Sequence, residues 1–136
     1  METYKCAFSH TLLGEDFGCS RVRFVTQRDG PHATCADRVA ADRCRTLFQA
    51  LKTAALPVFD VPDDLAQMPH SVPVKIQFGG LLGLRHALYP AATGRIEDVD
   101  SLVRTAETHY GGCERIPCAD FTGAMTAYKV KRRSGR

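Results

Sequence analysis

Six cysteines are the residues in this 136-residue sequence best equipped for chemistry: Cys6, Cys19, Cys35, Cys44, Cys113 and Cys118. Four fall within the first 44 residues, none in the next 68, and two near the end. Four thiolates fill a tetrahedral metal site or ligate an iron–sulfur cluster. The first four follow the spacing C-x12-C-x15-C-x8-C. That spacing lacks the close C-x2–4-C knuckle by which zinc ribbons take two ligands from one tight turn. It also lacks the short spacings usual in ferredoxins. Ligands scattered over several segments still suit a cluster, because a cluster is larger than a single ion. The expected chemistry is an iron–sulfur centre on Cys6, Cys19, Cys35 and Cys44. A [4Fe–4S] centre is preferred to [2Fe–2S], and zinc is the alternative metal. The competing expectation is plain packing, since cysteine is among the most buried residue types. Cys6 on an alternating strand and Cys44 on an apolar stripe fit that competitor well.

The stretch "GPHATCADRVAADRC", Gly30 to Cys44, constrains how such a site is built. Nine helical steps rotate by about 900°, half a turn beyond whole turns. Inside one straight helix Cys35 and Cys44 would point to opposite sides. They share a site only if Cys35 precedes the helix or stands at its start, with Thr34 or Asp37 as N-cap. There the N–H groups of the first turn favour anionic sulfur. Ala7, Gly18, Ser20 and Ala36 are small neighbours that let backbone N–H groups approach thiolates and tune their potential. Arg21, Arg23, Arg38, Arg43 and Arg45 are near enough in sequence to offset negative charge. His10 and His32 are the alternative ligands, four after Cys6 and three before Cys35. The ordinary reading of both is a solvated loop histidine. Cys113 and Cys118 flank "ERIP" and are a candidate redox pair, although not a C-x-x-C motif. Two core cysteines without chemistry are the simpler reading of that pair.

Other constellations are weak. "FGGLLGLR" resembles a phosphate loop only in its glycines and lacks G-x-G-x-x-G and Gly-Lys-Ser/Thr. It is expected to turn from a strand into a short helix, as tight packing or as an apolar loop covering a cluster. Glu97, Asp98 and Asp100 suit a helix N-terminus, while Glu15-Asp16 and Asp63-Asp64 read as solvated loop charge. No H-E-x-x-H, G-x-S-x-G or Walker pattern occurs. The tail 129–136 holds five of the eighteen basic residues and no acid. Residues 1–128 therefore carry thirteen basic against fifteen acidic residues, a net of −2. A body of that sign is not a dedicated nucleic-acid binder, so nucleic acid would be reached only through the tail.

The elements that must position the cysteines give an α+β class. "YKCAF" alternates as a short strand, "SHTLLGEDFG" reads as loop, and "SRVRFVT" alternates again before a turn at "QRDGP". A helix is expected from about Ala36 to Ala55, ended by Pro57. Four prolines in 57–73 mark a connector with one helical turn at "DDLAQM". "VPVKIQF" reads as a further strand, "IEDVDSLVRTAETHYGG" as an amphipathic helix, and "ADFTGAMTAYKV" as a last helix. One domain, 1–136, is expected, with a cysteine-rich lobe at 1–56 and a mainly helical lobe at 72–128 joined by 57–71. No apolar run approaches the roughly 18 residues of a membrane span. The opening residues lack a basic region followed by an apolar stretch, so the expected compartment is the cytoplasm, where thiols stay reduced. The expected function is electron transfer, redox sensing or service as accessory to a larger enzyme, with a protein redox partner. The alternative is a zinc-stabilised or metal-free interaction module. A thiol redox enzyme using Cys113 and Cys118 is a third expectation, and it requires a thiol of depressed pKa.

Overall fold

Alternating residues in the first 35 positions build a three-stranded antiparallel sheet in the computed structural model, which describes residues 2–61 and 68–130. Strand β1 is Tyr4–Lys5, β2 is Val22–Gln27 and β3 is Gly30–Cys35, in the order β1-β3-β2. The turn at "QRDG" forms as expected. Arg28 and Asp29 close the β2–β3 hairpin, with Gly30 at φ +121°. The strand from Gly30 to Cys35 was not anticipated. Its proline and single clear apolar residue hide the alternation that buries Ala33 and Cys35. Pro31 is tolerated because β1 pairs only with Thr34 and Cys35, leaving β3 a single neighbour at that level. The expected loop after β1 contains the short helix α1, Ser9–Leu12.

Helix α2 is Arg38–Phe59. Asp37 is its N-cap, and its carboxylate accepts from the Ala40 N–H at 3.3 Å. Pro57 lies inside the last turn rather than ending the helix. So near the C-terminus a proline removes one hydrogen bond and the helix runs on to a left-handed cap at Asp60. Ala40, Ala41, Leu47, Leu51 and Ala55 form the buried stripe. The helical turn expected at "DDLAQM" and the body of the basic tail lie outside the described residues, apart from Met68, Lys129 and Val130.

The expected strand at "VPVKIQF" is instead helical. Helix α3, Ser71–Leu88, takes in both that stretch and the glycines after it. Alternation over seven residues does not separate a strand from a helix buried on several sides, and α3 buries Val72, Val74, Ile76 and Gln77 together. Pro73 sits in its first turn, where N–H groups lack helical partners anyway. "FGGLLGLR" is therefore neither a phosphate loop nor a covering loop. Its glycines are contact points inside a helix. A Cβ on Gly79 would come within 2.6 Å of the Met125 backbone nitrogen, and one on Gly80 within 2.7 Å of Leu51.

Helix α4 is Val99–Tyr110, capped by Asp98 and by Gly111 at φ +83°. Ile96, expected within it, precedes the cap and bridges Phe17. Two 3-10 turns, Cys113–Arg115 and Cys118–Phe121, lead into α5, Thr122–Ala127, where one longer helix was expected. The fold is α+β. One core cluster joins Phe8 to Leu51, Ile76, Leu81, Val103 and Met125. No helix among the described residues is long and apolar enough to cross a membrane.

Replacing Gly79 with alanine forces its Cβ into the α5 backbone, which cannot yield as a flexible side chain can. The expected loss is about 1–3 kcal/mol, the usual cost of overpacking a core. Urea denaturation of Gly79→Ala beside Gly123→Ala checks it, because a Cβ at Gly123 meets nothing within 4 Å.

Candidate functional site

Cys6, Cys19, Cys35 and Cys44 all line one small cavity. Each comes from a different segment. Cys6 follows β1, Cys35 ends β3, and Cys44 stands on the inner stripe of α2. Cys35 precedes the N-cap Asp37, so the half-turn conflict between Cys35 and Cys44 does not arise. Cys19 lies on a loop stitched to the start of α4. Gly18 donates to the Ile96 carbonyl at 2.8 Å and accepts from Val99 at 2.7 Å, and Ser20 N–H donates to Asp98 Oδ1 at 2.9 Å. Gly18 is required there, since a Cβ would stand 2.8 Å from the Glu97 carbonyl oxygen.

Most of the lining is apolar, with Phe8, Leu12, Val22 and Val99 in the walls. Burial raises the Cys6 thiol to about 11, although the Phe8 N–H opposes the shift. Burial also raises Cys19, opposed by N–H groups of Arg21 and Asp100 directed at its sulfur. Burial is the first cause for Cys44 too, which is pushed up strongly, and the charges of Cys6, Cys19, Asp100 and Cys35 add to it. Ionisation of Cys44 is thus opposed by each of the other three cysteines. Cys35 Sγ donates to the Asp37 carbonyl at 3.2 Å. All six cysteines of the chain are free.

Asp100 is the polar residue that the sequence did not single out. Its place in the sequence suggests helix N-terminal charge, yet its side chain is 1% exposed and forms part of the cavity wall. Arg104 Nε lies 3.0 Å from it, Arg43 Nη1 3.2 Å and Arg21 Nε 3.5 Å. Arg43 also reaches Glu107 at 3.2 Å. The available signal is the i,i+4 pair Asp100–Arg104, together with Arg21 two residues after Cys19 and Arg43 one before Cys44. Of the other arginines near the cysteines, Arg45 pairs with Asp42 and Arg23 donates to the Val22 carbonyl.

The alternative ligands are elsewhere. His10 packs edge-on against His70, at 5.3 Å between centroids, and burial lowers its pKa. His32 Nε2 lies 2.7 Å from Asp29 Oδ1 beside the hairpin turn. Neither lines the cysteine cavity. Cys113 and Cys118 are 2% and 5% exposed and belong to the main core. Burial first, then Glu107, raises Cys113 to about 11; burial first, then Cys113, does the same for Cys118. Thiols held that high carry little nucleophilic thiolate at neutral pH.

The donor set suits a metal cluster in several respects: four thiols, N–H groups directed at two of them, and arginines close by. Among the described residues no three His, Cys, Asp or Glu side chains are grouped to hold a metal ion. Ligands of one zinc ion stand about 2.3 Å from it and so within about 4 Å of one another. The free space is about 20 Å³, room for about one water, so a cluster core enters only if the walls open.

Two outcomes follow for the metal-free protein. Asp100→Asn should cost about 2 kcal/mol in urea denaturation. That is below the roughly 3–5 kcal/mol of a fully buried pair, because Arg21 and Arg104 remain about half exposed. The raised thiols bind protons more tightly folded than unfolded. Their contribution to stability is full below about pH 9, the ordinary thiol value, and is lost as pH rises through about 11. Urea midpoints should fall between pH 8 and pH 11, and Cys6→Ala and Cys44→Ala should flatten that fall. No protein-family model, curated protein or solved structure matches the chain, so a functional reading stands on this geometry and its chemistry.

Proposed function

We propose that this chain is a small cytoplasmic iron–sulfur protein, with Cys6, Cys19, Cys35 and Cys44 as thiolate ligands of a [4Fe–4S] centre. The observation that carries the proposal is the meeting of these four cysteines, from four separate segments, at one cavity. A cluster bonds each thiolate to its own iron site, so the sulfurs need not gather around a single point as they must for zinc. The N–H groups of Phe8, Arg21 and Asp100 would offset thiolate charge, and so would Arg21 and Arg43. Binding would displace protons from thiols that are otherwise held protonated, so loading is favoured by rising pH. When bound, the cluster supplies one-electron storage. The chain itself holds the ligands, excludes water with its apolar walls and sets the surrounding charge. It would act in electron transfer, in redox sensing or as accessory to a larger enzyme.

Two observations favour a second reading, in which the four thiols simply pack. The Cys35 hydrogen bond to the Asp37 carbonyl and the small free volume describe a comfortable protonated cavity. The two readings separate on protein purified without oxygen. Iron and sulfide in cluster stoichiometry with broad absorption near about 400 nm is the expected result. Serine at any one of Cys6, Cys19, Cys35 or Cys44 should then remove or destabilise the colour, while Cys113→Ser and Cys118→Ser keep it. Full iron in all four single variants sinks the ligand assignment. Stoichiometric zinc in colourless protein moves the site to a structural role, and colourless protein that takes up no metal on reconstitution leaves the packing reading.

A further inference from the structure

Strand β2 is an edge. The sheet order β1-β3-β2 leaves its outer side without a neighbouring strand among the described residues. The Arg21 carbonyl accepts from the Ala36 N–H at 2.8 Å and the Arg23 carbonyl from the Thr34 hydroxyl at 2.7 Å, so the odd-numbered residues turn their backbone groups to β3. Antiparallel alternation then turns those of Val22, Phe24 and Thr26 outward. No proline or bulge blunts this edge over its six residues. At one end the Val22 carbonyl is taken up by Arg23 Nη1 at 2.9 Å. On the face that β2 shares with Ala33 and Cys35, Phe24 is 59% exposed. It is one wall of a groove of about 500 Å³, whose other apolar walls include Leu12, Phe17 and Val22. Arg95, Glu97 and Asp98 belong to the same groove, and so does Cys19. Open strand edge, protruding ring and groove stand side by side.

We infer that this edge is a dimerisation surface, and that its occupant is the β2 strand of a second copy of this chain. Antiparallel pairing about a two-fold axis at Phe24 matches donors to acceptors, each Phe24 N–H donating to the Phe24 carbonyl of the other copy. Val22 of one copy then falls opposite Thr26 of the other, Arg23 opposite Val25 and Arg21 opposite Gln27, so no arginine directly opposes another. Opposed residues share a face of the sheet, so the Phe24 ring of each copy enters the groove beside Phe24 of the other. Charge agrees with this register. Arg28, exposed in the hairpin turn, falls opposite Ser20, whose N–H is bonded to Asp98 Oδ1 at 2.9 Å. Each Arg28 is thereby carried to the part of the groove where Glu97 and Asp98 outnumber Arg95. The neighbouring symmetric registers either set Arg23 against Arg23, a like-charge pair, or move Arg28 away from those carboxylates. The dimer requires no metal and stands apart from the iron–sulfur reading.

Sedimentation equilibrium of the full chain, with reductant present so that no disulfide links two copies, tests this. The average mass should rise toward twice that of the monomer between micromolar and millimolar concentration. Phe24→Lys should weaken association at least about tenfold, as loss of a central aromatic anchor does. Thr26→Pro should weaken it too, because it removes an outward N–H and leaves the bonds to β3 in place. Arg28→Glu should weaken it several-fold, an effect that fades with added salt. Far-UV circular dichroism and urea midpoints establish that each variant is folded. Amide exchange on the wild type reads the same contact without any variant, and protection of the Phe24 N–H should grow with concentration. A wild-type chain that stays monomeric throughout that range overturns the inference. A dimer that folded Phe24→Lys and Thr26→Pro form as tightly as the wild type overturns it as well, and so does a dimer whose Phe24 N–H exchanges as freely as in the monomer.

Discussion

A single buried carboxylate ties together the segments that carry the cysteines. Asp100 is almost wholly removed from water, and an isolated charge there would cost several kcal/mol. Three guanidinium groups offset that cost, and they come from three places: Arg21 beside the Cys19 loop, Arg43 one residue before Cys44, and Arg104 on α4 itself. The Asp100 N–H donates to the Asp98 carboxylate at 3.1 Å and also favours the charged form of Cys19. The sheet extends the arrangement, because Val22, next to Arg21, pairs with Cys35, and Cys35 pairs in turn with Tyr4 two residues before Cys6. Loop, sheet and helix are thus held in register around the cavity by one anion and its partners.

Positive charge next to that anion also bears on the thiols. At Cys19 the raising effect of the Asp100 carboxylate is outweighed by the Asp100 N–H, whereas at Cys44 the carboxylate opposes thiolate formation. The arginines screen it from close range, with Arg43 only 15% exposed. Protonated thiols and an apolar lining are mutually compatible, and four bare thiolates in the same space are not. The change from one state to the other requires a cation to arrive as the protons leave. The cavity described is a closed, protonated one, and any ligation of these thiols would be linked to release of their protons.

Much of this architecture was legible where local chemistry speaks alone. Asp37 announces a helix start, Gly111 a helix end, and Asp29-Gly30 a hairpin turn, because each satisfies a backbone demand that depends on near neighbours only. The need for Cys35 to precede the helix followed from helical rotation, and the structure places it there. The stretch from Val72 to Phe78 was misread because alternation is ambiguous for a helix buried on several sides. Strand β3 was missed because Pro31 and His32 obscure a pattern that only its pairing with β2 makes decisive. Asp100 went unnoticed for a similar reason. Its role depends on Arg21 and Arg43, 79 and 57 residues away in sequence, and no local pattern reports such a meeting.

The chain also contains its own comparison for what buried cysteines do. Cys113 and Cys118 lie in one connected pair of turns, packed among α2, α3 and α4 within the main core, and sequence proximity alone explains their nearness. The other four share no such proximity. The N–H groups of Phe8, Arg21 and Asp100 favour the charged form of Cys6 and Cys19, while the nearby guanidinium groups are engaged by Asp100. Convergence across long sequence separations is the feature that distinguishes these four cysteines from the Cys113–Cys118 pair.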